Sequence, residues 1–166
     1  VPKFTDCIRF DDVTFGYNET PILKNFSLEI KKGTSVAIVG ATGAGKTTIT
    51  SLLTRWYDVQ NGKITLDNIN IKDFRQQDLA NIMSFVMQDI YLFPGTIRDN
   101  LRAMRNDIPD SQVEAAIQSL DIQHIIDRFE HGVDTILSEN GKNLSFGERQ
   151  LLSFARALTF QPEILI

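Results

Sequence analysis

Apolar and polar positions alternate, with one irregularity, along Ile8, Phe10, Val13 and Phe15, a period that predicts a strand. Gly16-Tyr17-Asn18 closes it, and Ile22 to Ile30 reads as a second strand before a Lys32-Gly33 turn. Ser35 to Val39 is short and almost continuously apolar, the pattern of a parallel strand buried on both faces. Helical spacing then takes over with Ile49, Leu52, Leu53 and Trp56, predicting a helix to about Tyr57. Asn61-Gly62 signals a turn, Lys63 to Asp67 a strand, Phe74 to Asn81 a helix, and Ile82 to Met87 an apolar strand ending at Gln88-Asp89. From Ile90 to about Glu130 short helical pieces dominate. The best of them carries Val113, Ala116, Ile117 and Leu120 on one face and opens on a Ser111…Glu114 capping-box pattern. After the polar loop Asn140–Asn143, Ser145 begins a helix with Leu151, Leu152, Phe154, Ala155 and Leu158 on its apolar side; Pro162 ends it, and Glu163–Ile166 opens another apolar strand. Strands alternating with helices predict an α/β domain with a small N-terminal β portion, a parallel-sheet core and a helical insertion.

Composition narrows the class. A chain of 166 residues with 42% hydrophobic content suffices for one domain with a core. The net charge of −4, with scattered basic residues, argues against a general nucleic-acid surface. One cysteine, Cys7, permits no intrachain disulfide and lies in a strand-like segment, so a packed thiol is expected. His124 and His131 have no ligand-like neighbours and read as surface or capping residues. No stretch approaches the roughly 20 apolar residues needed to span a bilayer. Residues 1–6, lacking a start methionine and holding Pro2, read as a linker.

The strongest chemical signal is Gly40-Ala41-Thr42-Gly43-Ala44-Gly45-Lys46-Thr47, a G-x-x-x-x-G-K-[ST] phosphate loop between a predicted strand and a predicted helix. Gly40, Gly43 and Gly45 are expected to free the backbone so that its N–H groups approach phosphate oxygens. The helix that follows turns its unpaired N–H groups, among them those of Thr47 and Thr48, and the positive end of its dipole toward the anion. Lys46 supplies an ammonium for the β- and γ-phosphates, and the Thr47 hydroxyl is a natural Mg²⁺ ligand. Thr42 and Ala44 complete the expected nucleotide-binding set.

Leu144-Ser145-Phe146-Gly147-Glu148-Arg149-Gln150, taken with this loop, resembles the signature motif of ABC transporter ATPase domains; Ser145 lies 99 residues beyond Lys46. Phe15-Gly16-Tyr17 resembles the adenine-stacking loop of that family, Met87-Gln88-Asp89 its Q-loop, and Leu92–Leu101 the segment after the Q-loop in exporters. Glu139-Asn140-Gly141 resembles the exporter loop that touches the transmembrane coupling helices. The resemblance covers nearly the whole chain. It implies a P-loop NTPase fold with a RecA-like core (residues 1–88 and 145–166) that includes an N-terminal antiparallel β portion, and an inserted helical subdomain (residues 89–144). It also implies ATP and Mg²⁺ as cofactors, Tyr17 as the base-stacking ring, and Gln88 as a ligand of Mg²⁺ or the attacking water. The Ser145 hydroxyl and the Gly147 N–H would face the γ-phosphate held by a second ATP-binding domain. The function implied is the ATP-driven motor of an exporter at the cytoplasmic face of the membrane, joined to a transmembrane domain.

Ser145 has two readings, since Ser145-x-x-Glu148 is also a capping box, and both use the same exposed N–H groups. Phe146 stands where the family commonly has glycine, and Glu148 where it has glutamine. The strand opened at Glu163 resembles the start of the family's Walker B strand, whose acidic pair, like the switch histidine, would follow Ile166. Glu163 itself opens the strand and is not expected to serve as the base. A polypeptide of these residues alone is therefore expected to bind nucleotide, to hydrolyse it negligibly and to be poorly stable. Four other classes would leave different marks, the weakest being a small-molecule kinase, which would not explain Ser145–Gln150. A chromosome-type ATPase would place a long coiled coil between the motifs, a ribosome-acting relative would lack the Leu92–Leu101 segment, and a binding module would show no turnover.

Overall fold

The computed structural model describes residues 3–138 and 141–166, which fall into two compact units, Val1–Met83 and Ser84–Ile166. In the first unit, β1 (Cys7–Phe15) and β2 (Leu23–Lys31) pair antiparallel, and β1 also pairs with β3 (Asn61–Leu66), which carries the short β4 (Ile69–Asn70) in the order β2-β1-β3-β4. The irregular alternation of β1 is a bulge. Phe10 faces Leu28 and Val13 faces Phe26, so one extra residue on β1 brings both Phe10 and Val13 to the buried side. Asp12, at a φ of 46°, takes up the extra residue and donates its N–H to the Ser27 hydroxyl at 3.0 Å. Gly62 does not make the predicted turn. It lies inside β3 at a φ of 78°, where a Cβ would stand 2.3 Å from the Asp11 carbonyl oxygen, so glycine is needed for the strand to pass the bulge.

Residues 4–6, ahead of β1, are tethered rather than linker-like. Phe4 is buried, with the Lys32 ammonium on its carbonyl and 5.7 Å from its ring centroid. The Asp67 carboxylate accepts from the N–H groups of Thr5, Asp6 and Cys7 at 2.5, 2.8 and 3.1 Å and from the Thr5 hydroxyl at 2.9 Å. Burial opposes ionisation of Asp67, but these four donors outweigh it and hold the carboxyl below its ordinary range. The stabilisation is present above the unfolded-state pKa of about 3.9 and is lost as pH falls through the lower folded value. Exchange protection of the Asp6 and Cys7 amides is accordingly expected to collapse in acid, and Asp67→Asn to remove that pH dependence. Unchanged acid behaviour in Asp67→Asn would sink the assignment.

The Ser35–Val39 segment departs most from expectation. Residues 34–40 form no strand and are exposed, Val39 to 86%. A short parallel strand depends on ladder partners along its edges, and none of the four strands in the β2-β1-β3-β4 sheet pairs with this segment. The helix after the loop, α1 (Lys46–Leu53), is shorter than predicted and buries Ile49, Leu52 and Leu53, whereas Trp56 lies beyond it and is exposed. Next come a 3-10 turn at Ile71–Asp73 and α2 (Gln76–Ile82). The predicted strand over residues 82–87 shortens to β5 (Met83–Ser84).

In the second unit, β6 (Gly95–Thr96) pairs antiparallel with β7 (Ile136–Leu137), and between them run α3 (Ile97–Leu101), α4 (Asp110–Ser119) and α5 (Gln123–Ile126). The helix α6 (Phe146–Thr159) packs against α3 and α4, with Leu92, Ile97, Leu101, Val113, Ile117 and Leu152 central to the core. Near β8 (Ile164–Leu165), Ile166 donates to the Ser84 carbonyl at 2.9 Å and accepts from Val86 at 2.8 Å, the slanted pattern of a parallel ladder. The Ser111…Glu114 box does not form. Pro109 is the N-cap of α4, which places Ser111 inside the first turn. The boxes that do form are Thr96–Asp99 on α3 and Ser145–Glu148 on α6.

Candidate nucleotide site

Two glycines give the phosphate loop its shape. Gly43 and Gly45 have φ of 82° and 88°, and a Cβ on Gly45 would press within 3.0 Å of Ile22 and 3.1 Å of Leu23. Gly40, unlike Gly43 and Gly45, does not take a left-handed φ; a Cβ there would press on that of Ala44 at 3.3 Å. Gly45 is also the N-cap of α1 and, having no side chain, caps nothing. No acidic residue lies in the first turn. The first N–H groups of α1, from Lys46 to Thr48, therefore meet neither a capping oxygen nor a carboxylate, and the positive end of the helix dipole is uncompensated. The Lys46 ammonium bends back over the loop and donates to the carbonyls of Gly40 and Ala41 at 2.9 and 2.8 Å. Thr47 is exposed, while the side chain of Thr48 is buried, leaving only its backbone for a ligand. Thr42 and Ala44 are exposed on the loop, where the Ala44 N–H donates to Ala41 at 3.1 Å. This donor set suits a polyphosphate, and Thr47 offers the hydroxyl that Mg²⁺ needs beside phosphate oxygens. Among the described residues no group of three or more His, Cys, Asp or Glu gathers to hold a metal by itself.

Tyr17 stands 51% exposed in the same unit, edge-on to Phe15 with centroids 5.1 Å apart. In the second unit, Gln88 is exposed two residues after the Val86–Ile166 hydrogen bond. Ser145 caps α6: its hydroxyl accepts from the Glu148 N–H at 3.3 Å, and its own N–H donates to the Glu148 carboxylate at 2.8 Å. That N–H bond pulls the Glu148 carboxyl below its ordinary range, against the cost of burial, and the Ser145 hydroxyl and Arg128 guanidinium add to the effect. The negative charge brought by glutamate in place of glutamine is thus matched by Arg128. Gly147 is exposed, and a Cβ there would meet nothing within 4 Å, so the chain's own packing does not demand glycine. Phe146 is exposed with its ring 6.0 Å from the Arg149 guanidinium, so it does not fill the helix N-terminus. Glu139 and Asn140 lie outside the described residues.

Sequence reasoning missed four polar or aromatic supports. Asn100 is 1% exposed and holds the Phe93–Thr96 turn: it accepts from Phe93 N–H at 2.8 Å and donates to the carbonyls of Phe93 and Thr96 at 2.9 and 3.0 Å. Arg156, on α6, donates to the Asn100 side chain at 3.1 Å and to its backbone carbonyl at 3.0 Å, and lies 4.9 Å from the Phe93 ring centroid. Burial pushes the Arg156 guanidinium below its ordinary value. The other two supports, Tyr57 and Gln60, brace Tyr17 and Gly16. The Thr96-x-x-Asp99 spacing was a usable capping signal, but nothing in the spacing of Asn100 and Arg156 reveals their contact.

Known proteins resemble this chain closely. The family model described as ABC transporter matches residues 23–166. An uncharacterized ABC transporter ATP-binding protein of Bacillus subtilis (strain 168), YfiC, is 45% identical over 99% of the chain. An ATP-dependent lipid A-core flippase of Pasteurella multocida (strain Pm70) is 42% identical over 96% of it. The chain spans 28% of the length of each. A bacterial Atm1-family ABC exporter solved with ATP bound superposes with a TM-score of 0.92 at 38% identity, over 99% of this chain and 29% of that one.

Proposed function

Because the chain belongs to the ABC transporter family, we propose that it is the ATP-binding motor of an exporter, working at the cytoplasmic face of a membrane. Its partners are a transmembrane domain and a second ATP-binding domain. The observation that carries this reading is the phosphate loop: α1 begins on a left-handed glycine with no side-chain cap and no carboxylate, under a lysine ammonium. Gly40 and Thr42 to Thr48 bind the phosphates, Tyr17 takes the adenine on its ring face, the Thr47 hydroxyl would be a ligand of Mg²⁺, and Gln88 would serve Mg²⁺ or the attacking water. Bound Mg²⁺ supplies neutralisation of the phosphate charge. Ser145 and Gly147 present the N-terminus of α6 to the γ-phosphate carried by the other ATP-binding domain, so closure of the pair depends on nucleotide. The ATP-binding core comprises residues 1–88 and 145–166, and residues 89–144 form its helical subdomain. The names of the exporter and flippase relatives support the coupling of this domain to export. Among the described residues no helix is long and apolar enough to cross a membrane.

The chain binds MgATP through the phosphate loop. Calorimetric titration with MgATP tests the reading, and absence of MgATP binding sinks the site.

A further inference from the structure

We propose that Tyr57 and Gln60 are positioning residues for base recognition, holding Tyr17 so that the chain prefers a nucleotide over a bare polyphosphate. The inference rests on the base-stacking reading of Tyr17. Phe15, Tyr17 and Tyr57 form a closed triangle of rings. Tyr17 meets Phe15 at 5.1 Å and 86° and Tyr57 at 5.0 Å and 80°, while Phe15 and Tyr57 lie 5.7 Å apart at 51°. Phe15 is buried and anchors the triangle, whereas Tyr17 and Tyr57 are both about half exposed. Two near-perpendicular neighbours fix the plane of the Tyr17 ring, because turning it gives up both edge-to-face contacts.

Gln60 acts on the backbone of the same loop. Its amide accepts from the Gly16 N–H at 3.1 Å and donates to the Gly16 carbonyl at 3.0 Å, a two-point clamp on the residue before Tyr17. Gly16 itself admits no side chain, since a Cβ would stand 2.4 Å from the Thr20 carbonyl oxygen. The segment carrying Tyr57 and Gln60 is held in turn. The Arg55 guanidinium donates to the Phe74 carbonyl at 2.7 Å, and Trp56 N–H donates to Ser51 of α1 at 2.9 Å. One short stretch therefore joins the far end of the phosphate-loop helix to the ring proposed for the base. A ring that is already oriented loses less freedom on binding, so its stacking contributes more to affinity.

The test compares Kd values for MgATP and Mg-tripolyphosphate, which lacks base and ribose, across variants of the full chain, with a thermal midpoint for each. Tyr57→Leu is expected to lower the preference for MgATP about three- to tenfold while leaving tripolyphosphate binding unchanged. Tyr57→Phe, which keeps the ring, is expected to retain the preference within about twofold. Tyr17→Ala separates base stacking from the positioning of the ring. If it leaves the preference intact, the base-stacking reading fails and the inference falls with it. If Tyr17→Ala loses the preference but Tyr57→Leu keeps it, or weakens both ligands equally, the inference alone is overturned. Should Tyr57→Leu not fold, Gln60→Leu, which removes the clamp on Gly16, decides by the same ratio.

Discussion

Lys46→Ala is expected to weaken MgATP binding by about tenfold to a hundredfold. A charge-assisted hydrogen bond contributes roughly 1.5–3 kcal/mol, and about 1.4 kcal/mol is a factor of ten. In the structure the ammonium is held by two carbonyls of its own loop, Gly40 and Ala41. Both contacts lie within six residues on an exposed surface. Their loss should move the thermal midpoint little, which separates a binding defect from an unfolding one. The deficit should also shrink in high salt, because part of it is Coulombic attraction in a site open to solvent. Calorimetric titration at two ionic strengths measures both. Equal affinity in Lys46→Ala and the parent chain would show that the backbone N–H groups bind the phosphates without the lysine, and would remove its assigned role.

The second large effect is on stability. Asn100→Leu is expected to destabilise the second unit by about 3–5 kcal/mol, through polar groups left without partners rather than through lost volume. Leucine is close to asparagine in size, but the Phe93 N–H, the carbonyls of Phe93 and Thr96, and one arm of the Arg156 guanidinium each lose a bond inside a nearly closed site. The guanidinium is the costliest of these. Burial already disfavours its charge, and the partners it shows there, the Asn100 amide and carbonyl and the Phe93 ring, are neutral. With urea m-values of about 1–3 kcal/mol/M, the unfolding midpoint should fall by more than about 1 M. Arg156→Met should cost less, and the double variant less than the sum of the two singles, with coupling of about 1 kcal/mol or more. A loss below about 1 kcal/mol in Asn100→Leu, or strict additivity with Arg156→Met, would show that Asn100 does not hold this turn.

The contrast between these residues shows which features a sequence exposes. Lys46 belongs to a local pattern: glycines, lysine and threonine at fixed offsets, then apolar residues at helical spacing. All of its partners lie within the loop, so the chemistry could be read from the string. The same holds for Ser145 and Glu148, whose reciprocal bonds span three residues. The family resemblance, the α/β class and the antiparallel N-terminal portion were legible for this reason, since each rests on short-range periodicity or on motifs in order.

Tertiary structure decided whatever depends on residues far apart. The bulge at Asp12 made Gly62 a strand residue, because close approach to Asp11 rather than a turn demands the missing Cβ. Pro109 took the cap of α4 from Ser111, a choice between neighbours that packing settles. Ser35–Val39 has strand composition, yet composition cannot supply the ladder partners that make a strand. Asn100 and Arg156, 56 residues apart, and Gly16 and Gln60, 44 apart, meet only once their units have folded. By itself the sequence determined that a phosphate loop opens a helix and that another helix, capped by Ser145, carries the signature. The three-dimensional arrangement decided which side chains hold those pieces in working shape, because a hydrogen-bond partner is chosen by distance in space and not along the chain.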